Sequence, residues 1–255
     1  MKRSANQKAK RFFPIGIPAL LTVLFAACFL YLKDYYHADV IAVSAFHEEA
    51  EGEERVLTKG DISYISDGTN NCLILYPGAK VEHTAYIPLM RLISSEGVAC
   101  VICNMPFHLA LFRTHAADSV REAFPEIKHW YIAGHSLGGV VASMEVKKHP
   151  GVYDGLILLG AYANEDLSDA STRVLLIRGS EDGVLNTDKY EAAKANLPAD
   201  STEIVLDGGC HAYFGMYGPQ KGDGTPRITT EEQIRITAEI IAGWIGTGGT
   251  DAENP

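Results

Sequence analysis

The sequence predicts an α/β domain, a mostly parallel sheet with helices on both faces, behind an apolar N-terminal segment. Three observations lead there. Short apolar runs alternate with segments of helical spacing along most of the chain. The runs are apolar throughout rather than every second residue, as expected of strands covered on both faces. Turn residues such as Pro77-Gly78 end the runs and begin the connections.

The elements follow in order. Cys72–Tyr76 and Val98–Cys103 read as buried strands, with helical spacing across Ala85–Ser95 between them. Thr114–Phe124 reads as a helix, Trp130–Ala133 as a strand and Val140–Lys148 as a helix. Gly155–Leu159 and Val174–Ile177 are two further strands, joined by the short connection 160–173, which leaves little room for a lid. Asp188–Asn196 (helix), Thr202–Leu206 (strand) and the amphipathic Thr229–Ile245 complete the pattern. Ile62–Ile65 alternates weakly, as an outer strand would, and the charged stretch 47–60 is expected to be exposed.

At 255 residues and 47% hydrophobic, the chain suits one catalytic-sized domain with a short appendage. We divide it into a basic N-terminus (1–11), an apolar span (12–32), the α/β domain (35–246) and a tail (247–255). Residues 1–33 hold six of the 22 Lys/Arg and no acid, leaving 16 basic against 32 acidic groups in the rest. A body with net charge −16 argues against nucleic acid as a partner.

Phe12–Leu32 is long enough to cross a bilayer, which takes about 20 apolar residues. Its basic flank puts the N-terminus in the cytoplasm and the domain on the extracytoplasmic face. Two alternatives stay open. One is a cleaved signal peptide. The other is a lipobox ending at Cys28, although Phe25 fits its first position poorly and the apolar run continues beyond it.

The five cysteines show no zinc-ligand spacing, and no metal is expected. Cys100 and Cys103 have redox-motif spacing, but inside a strand they point to opposite faces and read as small buried hydrophobes.

Gly134-His135-Ser136-Leu137-Gly138-Gly139 matches G-x-S-x-G between a predicted strand and a predicted helix. A nucleophile on so tight a turn needs neighbours without bulk, and Gly134 and Gly138 supply them. Asp182 and His211 each follow a later strand, which gives the chain order Ser, Asp, His. Glu181 stays open as the alternative acid. The oxyanion donors are expected to be the backbone N–H groups of Leu137 and Ala79. Gly78 permits close backbone approach there, and Lys80 closes the same loop. Met105 and Phe107, past the second buried strand, are candidates for an acyl pocket or for plain core packing.

The GHSLGG, RGSEDGV and His211 segments resemble those of the α/β-hydrolase superfamily. More narrowly, YPGAKVEHTAYIPLMRLI, NMPFHLALF and GGCHAYFGMYGPQKGDG resemble small bacterial membrane-anchored α/β hydrolases, the fold-5 or dienelactone-hydrolase-like group. The resemblance covers residues 35–245. It implies a serine hydrolase that acts on an ester or related acyl bond of a small molecule, with no cofactor. The Ser nucleophile sets the chain apart from dienelactone hydrolases with Cys and haloalkane dehalogenases with Asp. Cys210 departs from the Asn often found before the histidine. The GPQKGDG stretch, residues 218–224, has no chemical role legible in the sequence. A non-catalytic binding module, and a peptidase or acyltransferase on the same triad, are the alternatives.

Overall fold

The computed structural model describes residues 9–40, 43–44, 54–56, 58–65 and 69–248. Contacts divide the chain into residues 1–35 and 36–255. In the first unit, α1 (Ala9–Lys33) is a single helix containing the apolar span. Among the described residues no helix is long and apolar enough to cross a membrane, so the anchor remains an inference from the sequence.

The second unit holds eight strands: β1 (Glu54–Val56), β2 (Ile62–Tyr64), β3 (Asn71–Tyr76), β4 (Ala99–Ile102), β5 (His129–His135), β6 (Gly155–Leu159), β7 (Arg173–Gly179) and β8 (Thr202–Leu206). They form one sheet in the order β1-β2-β4-β3-β5-β6-β7-β8. β3 through β8 are parallel, while β1 and β2 run antiparallel to their neighbours. Its fully described helices are α2 (Ile87–Ser95), α3 (Ala116–Ala123), α4 (Leu137–Lys148), α5 (Thr187–Ala193) and α6 (Thr230–Gly248).

Two expectations need correction. Residues 54–56, within the charged stretch read without a strand, form the edge strand, paired to β2 across the turn at Thr58–Gly60. Ile62–Tyr64 is therefore the second strand, buried throughout, rather than the outer one. At the other end, α6 runs on to Gly248, past the predicted boundary at 246, and the rest of the tail lies outside the described residues.

Strand alternation sorts the core into two layers. Leu73, Leu75, Tyr131, Ile157, Leu159 and Ile177 pack with α2 and α6 on one face. Cys72, Ile74, Ile132, Leu156, Leu158 and Leu176 pack with α3, α4 and Tyr190 of α5 on the other. Cys100 belongs to the first layer and Cys103 to the second, and both thiols are free. Burial pushes both thiols well above the ordinary range, which removes any redox reading of the pair. The 160–172 connection between β6 and β7 contains no helix.

Candidate active site

Ser136 sits between the end of β5 and the start of α4 with φ 51° and ψ −122°, in the positive-φ half of backbone space that L-residues rarely adopt. Its N–H donates to the Leu159 carbonyl at 2.9 Å, which fixes the turn to the end of β6. The flanking glycines are required by close approach. A Cβ on Gly134 would lie 2.3 Å from the Gly138 carbonyl carbon, and one on Gly138 would lie 2.1 Å from the Tyr76 carbonyl oxygen. The strain predicted from the motif is therefore present, and the surrounding chain holds it in place.

The candidate base and acid lie in contact. His211 Nδ1 lies 2.8 Å from Asp182 Oδ2, with side-chain exposures of 1% and 2%. Oδ1 of Asp182 accepts the N–H groups of Val184 (3.0 Å) and Leu185 (2.8 Å), so both carboxylate oxygens have fixed partners. Glu181, the alternative acid, turns away to Arg227 and Ser180. The other ring nitrogen of His211, Nε2, is buried and makes no hydrogen bond, either to Ser136 or to any other described group. Bonds of this kind are often open in a site without substrate.

In the loop after β3, Tyr86 engages one of the backbone N–H groups. Its hydroxyl accepts the Gly78 N–H at 3.0 Å and stands 2.7 Å from Nδ1 of His135. The Lys80 N–H is taken by the His108 carbonyl at 2.8 Å. Between them, the Ala79 N–H has no hydrogen-bond partner among the described residues, and neither does that of Leu137 at the start of α4. These are the two donors expected from the sequence. The loop is braced from outside, because Tyr36 donates its N–H to the Lys80 carbonyl (2.7 Å) and accepts that of Glu82 (2.9 Å).

His135, within the elbow, is fully buried, and its ring centroid lies 4.6 Å from that of His211. Burial first, and then the neighbouring His211, hold its pKa well below the usual imidazole range. It is thus a neutral packing partner for the base. Of the suggested pocket residues, Met105 packs in the core at 3% exposure, whereas Phe107 is 57% exposed with φ 55° and meets Phe112 edge-on. Cavities of about 290 and 260 Å³ open beside Leu167 and Asn164, and neither is lined by a triad residue.

Two residues near the base carry no sequence signal. Gln233 of α6 donates to the Cys210 carbonyl and accepts the Cys210 N–H, each at 2.9 Å. Burial, then the nearby Asp223, pushes the Cys210 thiol up to about 12, so it is not a thiolate at neutral pH. Asp223 lies in the 218–224 stretch that the sequence left without a role. Its carboxylate accepts four backbone N–H groups: Gly183 (3.1 Å), His211 (3.1 Å), Ala212 (2.8 Å) and Gly224 (2.9 Å). It thereby ties the acid turn to the base loop. Burial works to raise its pKa, but these donors outweigh it and hold the group below the usual carboxylate range. With the folded pKa depressed, its contribution to stability is complete above the ordinary carboxylate pKa and is lost as pH falls through the folded one.

Asp223→Ala is expected to lower turnover by about 10²-fold, the scale of a small misplacement of catalytic groups. It should also destabilise the domain by about 1–3 kcal/mol through orphaned N–H groups. Ester kinetics beside urea melts will read both effects. Turnover unchanged in a variant with that stability loss would remove the link between Asp223 and the base.

Known structures share this architecture. A hydrolase described as CIB-like from Thermoplasma acidophilum matches 76% of the chain and 99% of its own length, at 16% identity and TM-score 0.53. A dienelactone hydrolase from Anabaena variabilis matches 78% and 97%, at 13% identity and TM-score 0.56. A structure from Nitrososphaera gargenis, reported in work on carboxylesterases, matches 78% and 100%, at 13% identity and TM-score 0.56. Among curated proteins none matches the chain in sequence. The alpha/beta hydrolase family, however, matches residues 72–235, from the first parallel strand into the last helix. That match spans most of the chain and every strand of the parallel sheet, and on it the chain belongs to the alpha/beta hydrolase family.

Proposed function

We propose that the chain is a serine hydrolase that cleaves a carboxylic ester or related acyl bond in a small molecule. The observation that carries this reading is the buried 2.8 Å contact of His211 with Asp182 beside a serine held at φ 51°. Ser136 Oγ attacks the carbonyl carbon while His211 Nε2 takes its proton. The tetrahedral oxyanion is held by the Ala79 and Leu137 N–H groups, aided by the N-terminus of α4. His211 then gives the proton to the leaving alcohol, and the C–O bond breaks to leave an acyl-Ser136. Water, deprotonated by His211, releases the acid and restores the serine. Asp182 keeps the proton of the resting imidazole on Nδ1 and stabilises the imidazolium. The mechanism calls on no metal or organic cofactor.

A fluorophosphonate probe tests this directly. One adduct per chain on Ser136, absent from Ser136→Ala, is the expected mass-spectrometric result. The open Nε2 of His211 favours one second reading, a non-catalytic binding module. A folded chain that takes no probe would bring that reading forward.

We further propose that α1 anchors the enzyme in a bilayer, with the N-terminus cytoplasmic and the catalytic domain outside. Support comes from the apolar run 12–32 and its basic flank. Ile17, Leu20, Leu21, Val23, Leu24, Phe25, Phe29 and Leu30 of α1 are all at least half exposed, an arrangement that favours lipid over water. The protein should stay with the membrane after alkaline carbonate extraction, and external protease should reach the domain in intact cells. Release by carbonate would overturn the anchor.

A further inference from the structure

On the α3–α4 face of the sheet, four side chains outside the triad converge. His115 is the N-cap residue of α3, and Asp118 lies in its first turn. Glu145 is in the last turn of α4, and His149 is its C-cap residue. Each offers one ligand atom, and the four atoms all lie within 4.8 Å of one another.

Glu145 poses the electrostatic problem. Its side chain has zero exposure, and among the described residues its only ion-pair partners are two imidazoles. A carboxylate stripped of water is costly unless positive charge compensates it. Nε2 of His149 is buried without a hydrogen bond, yet lies 3.4 Å from Glu145 Oε1 and 3.8 Å from Asp118 Oδ1. Nδ1 of His115 lies 3.1 Å from Glu145 Oε2.

We propose that His115, Asp118, Glu145 and His149 bind a divalent transition metal of the zinc class, which clips α3 to the helix that carries the nucleophile. Bonds of about 2.0–2.2 Å place tetrahedral ligands about 3.4 Å apart, and the three separations above bracket that edge. Two imidazoles with two carboxylates and no thiolate suit zinc better than magnesium or calcium, which prefer all-oxygen sets. Outer partners are in place. The Tyr153 hydroxyl donates to Glu145 Oε1 at 3.1 Å, and Arg121 donates to Asp118 Oδ1 at 2.5 Å. The remaining facing charge, the Lys148 ammonium, rests 3.3 Å from His115 Nδ1 and 3.2 Å from its Nε2, and it must swing out into solvent as the metal enters.

The test is a zinc titration of the full-length, chelator-stripped protein in detergent against a chromophoric competitor. Wild type should bind one zinc per chain and melt several degrees higher when loaded. His115→Ala and His149→Ala, both at solvent-reachable positions, should each weaken binding at least tenfold and melt like the wild type without metal. Glu145→Gln, which keeps a Tyr153 contact, should bind none. No one-to-one binding by wild type, or binding unchanged in either histidine variant, overturns the proposal. None of these readouts depends on hydrolytic activity.

Discussion

Ser136→Ala should lower turnover of an activated ester by about 10⁶-fold, the loss typical when a triad serine is removed. The substitution takes away the nucleophilic oxygen and little else. Alanine at φ 51° meets the same backbone strain as serine, so the elbow should persist and stability should change by about 0.5 kcal/mol or less. Gly134 and Gly138, which the turn needs for space, are untouched. Stopped assays with p-nitrophenyl acetate beside a thermal melt give both numbers. A variant that melts like wild type yet keeps more than a hundredth of its turnover would exclude Ser136 as the nucleophile.

Asp182→Asn should cost about 10⁴-fold in turnover, and the structure says why. The Oδ1 of Asp182 already accepts the N–H groups of Val184 and Leu185. An asparagine must keep its carbonyl oxygen on that side, because its amide N–H₂ would face two donors. The N–H₂ is then turned toward His211 Nδ1, 2.8 Å from the present Oδ2. Nδ1 becomes an acceptor and the imidazole proton moves to Nε2, so the nitrogen meant to deprotonate Ser136 no longer has a lone pair. Nitrogen-15 NMR of the imidazole reports the tautomer directly. A proton still on Nδ1 in the variant, or turnover within tenfold of wild type, would contradict this account.

The three candidate triad residues stood out in the sequence because each lies within five residues of the end of an apolar run. Strand ends can be located without coordinates, and parallel sheets gather their strands' C-terminal ends on one side. The two proposed oxyanion donors followed from the same reasoning, since both lie just past strand ends. Asp223 was hidden for the opposite reason. It belongs to a Gly- and Pro-containing stretch with no periodicity, and its partners lie up to 40 residues away. The edge strand 54–56 was missed because Glu-Arg-Val, two of its three residues charged, carries no strand pattern of its own and is ordered by pairing with β2. His115 and His149 stand far apart in the sequence, with no metal-ligand spacing between them. Only the packing of α3 on α4 brings them within reach of one carboxylate.

The ladder at Tyr36 bears on how the enzyme can be shortened. The residues just past α1 are not slack tether, since Tyr36 bonds both Lys80 and Glu82 around the Ala79 donor, and Asp39 donates to the Met216 carbonyl. The Tyr36 hydroxyl also accepts the Lys221 N–H, beside the Asp223 stretch. A soluble form cut at His37 would leave the oxyanion turn without its outer splint. One begun at Asp34 or Tyr35 sheds the apolar helix and keeps the turn in its frame.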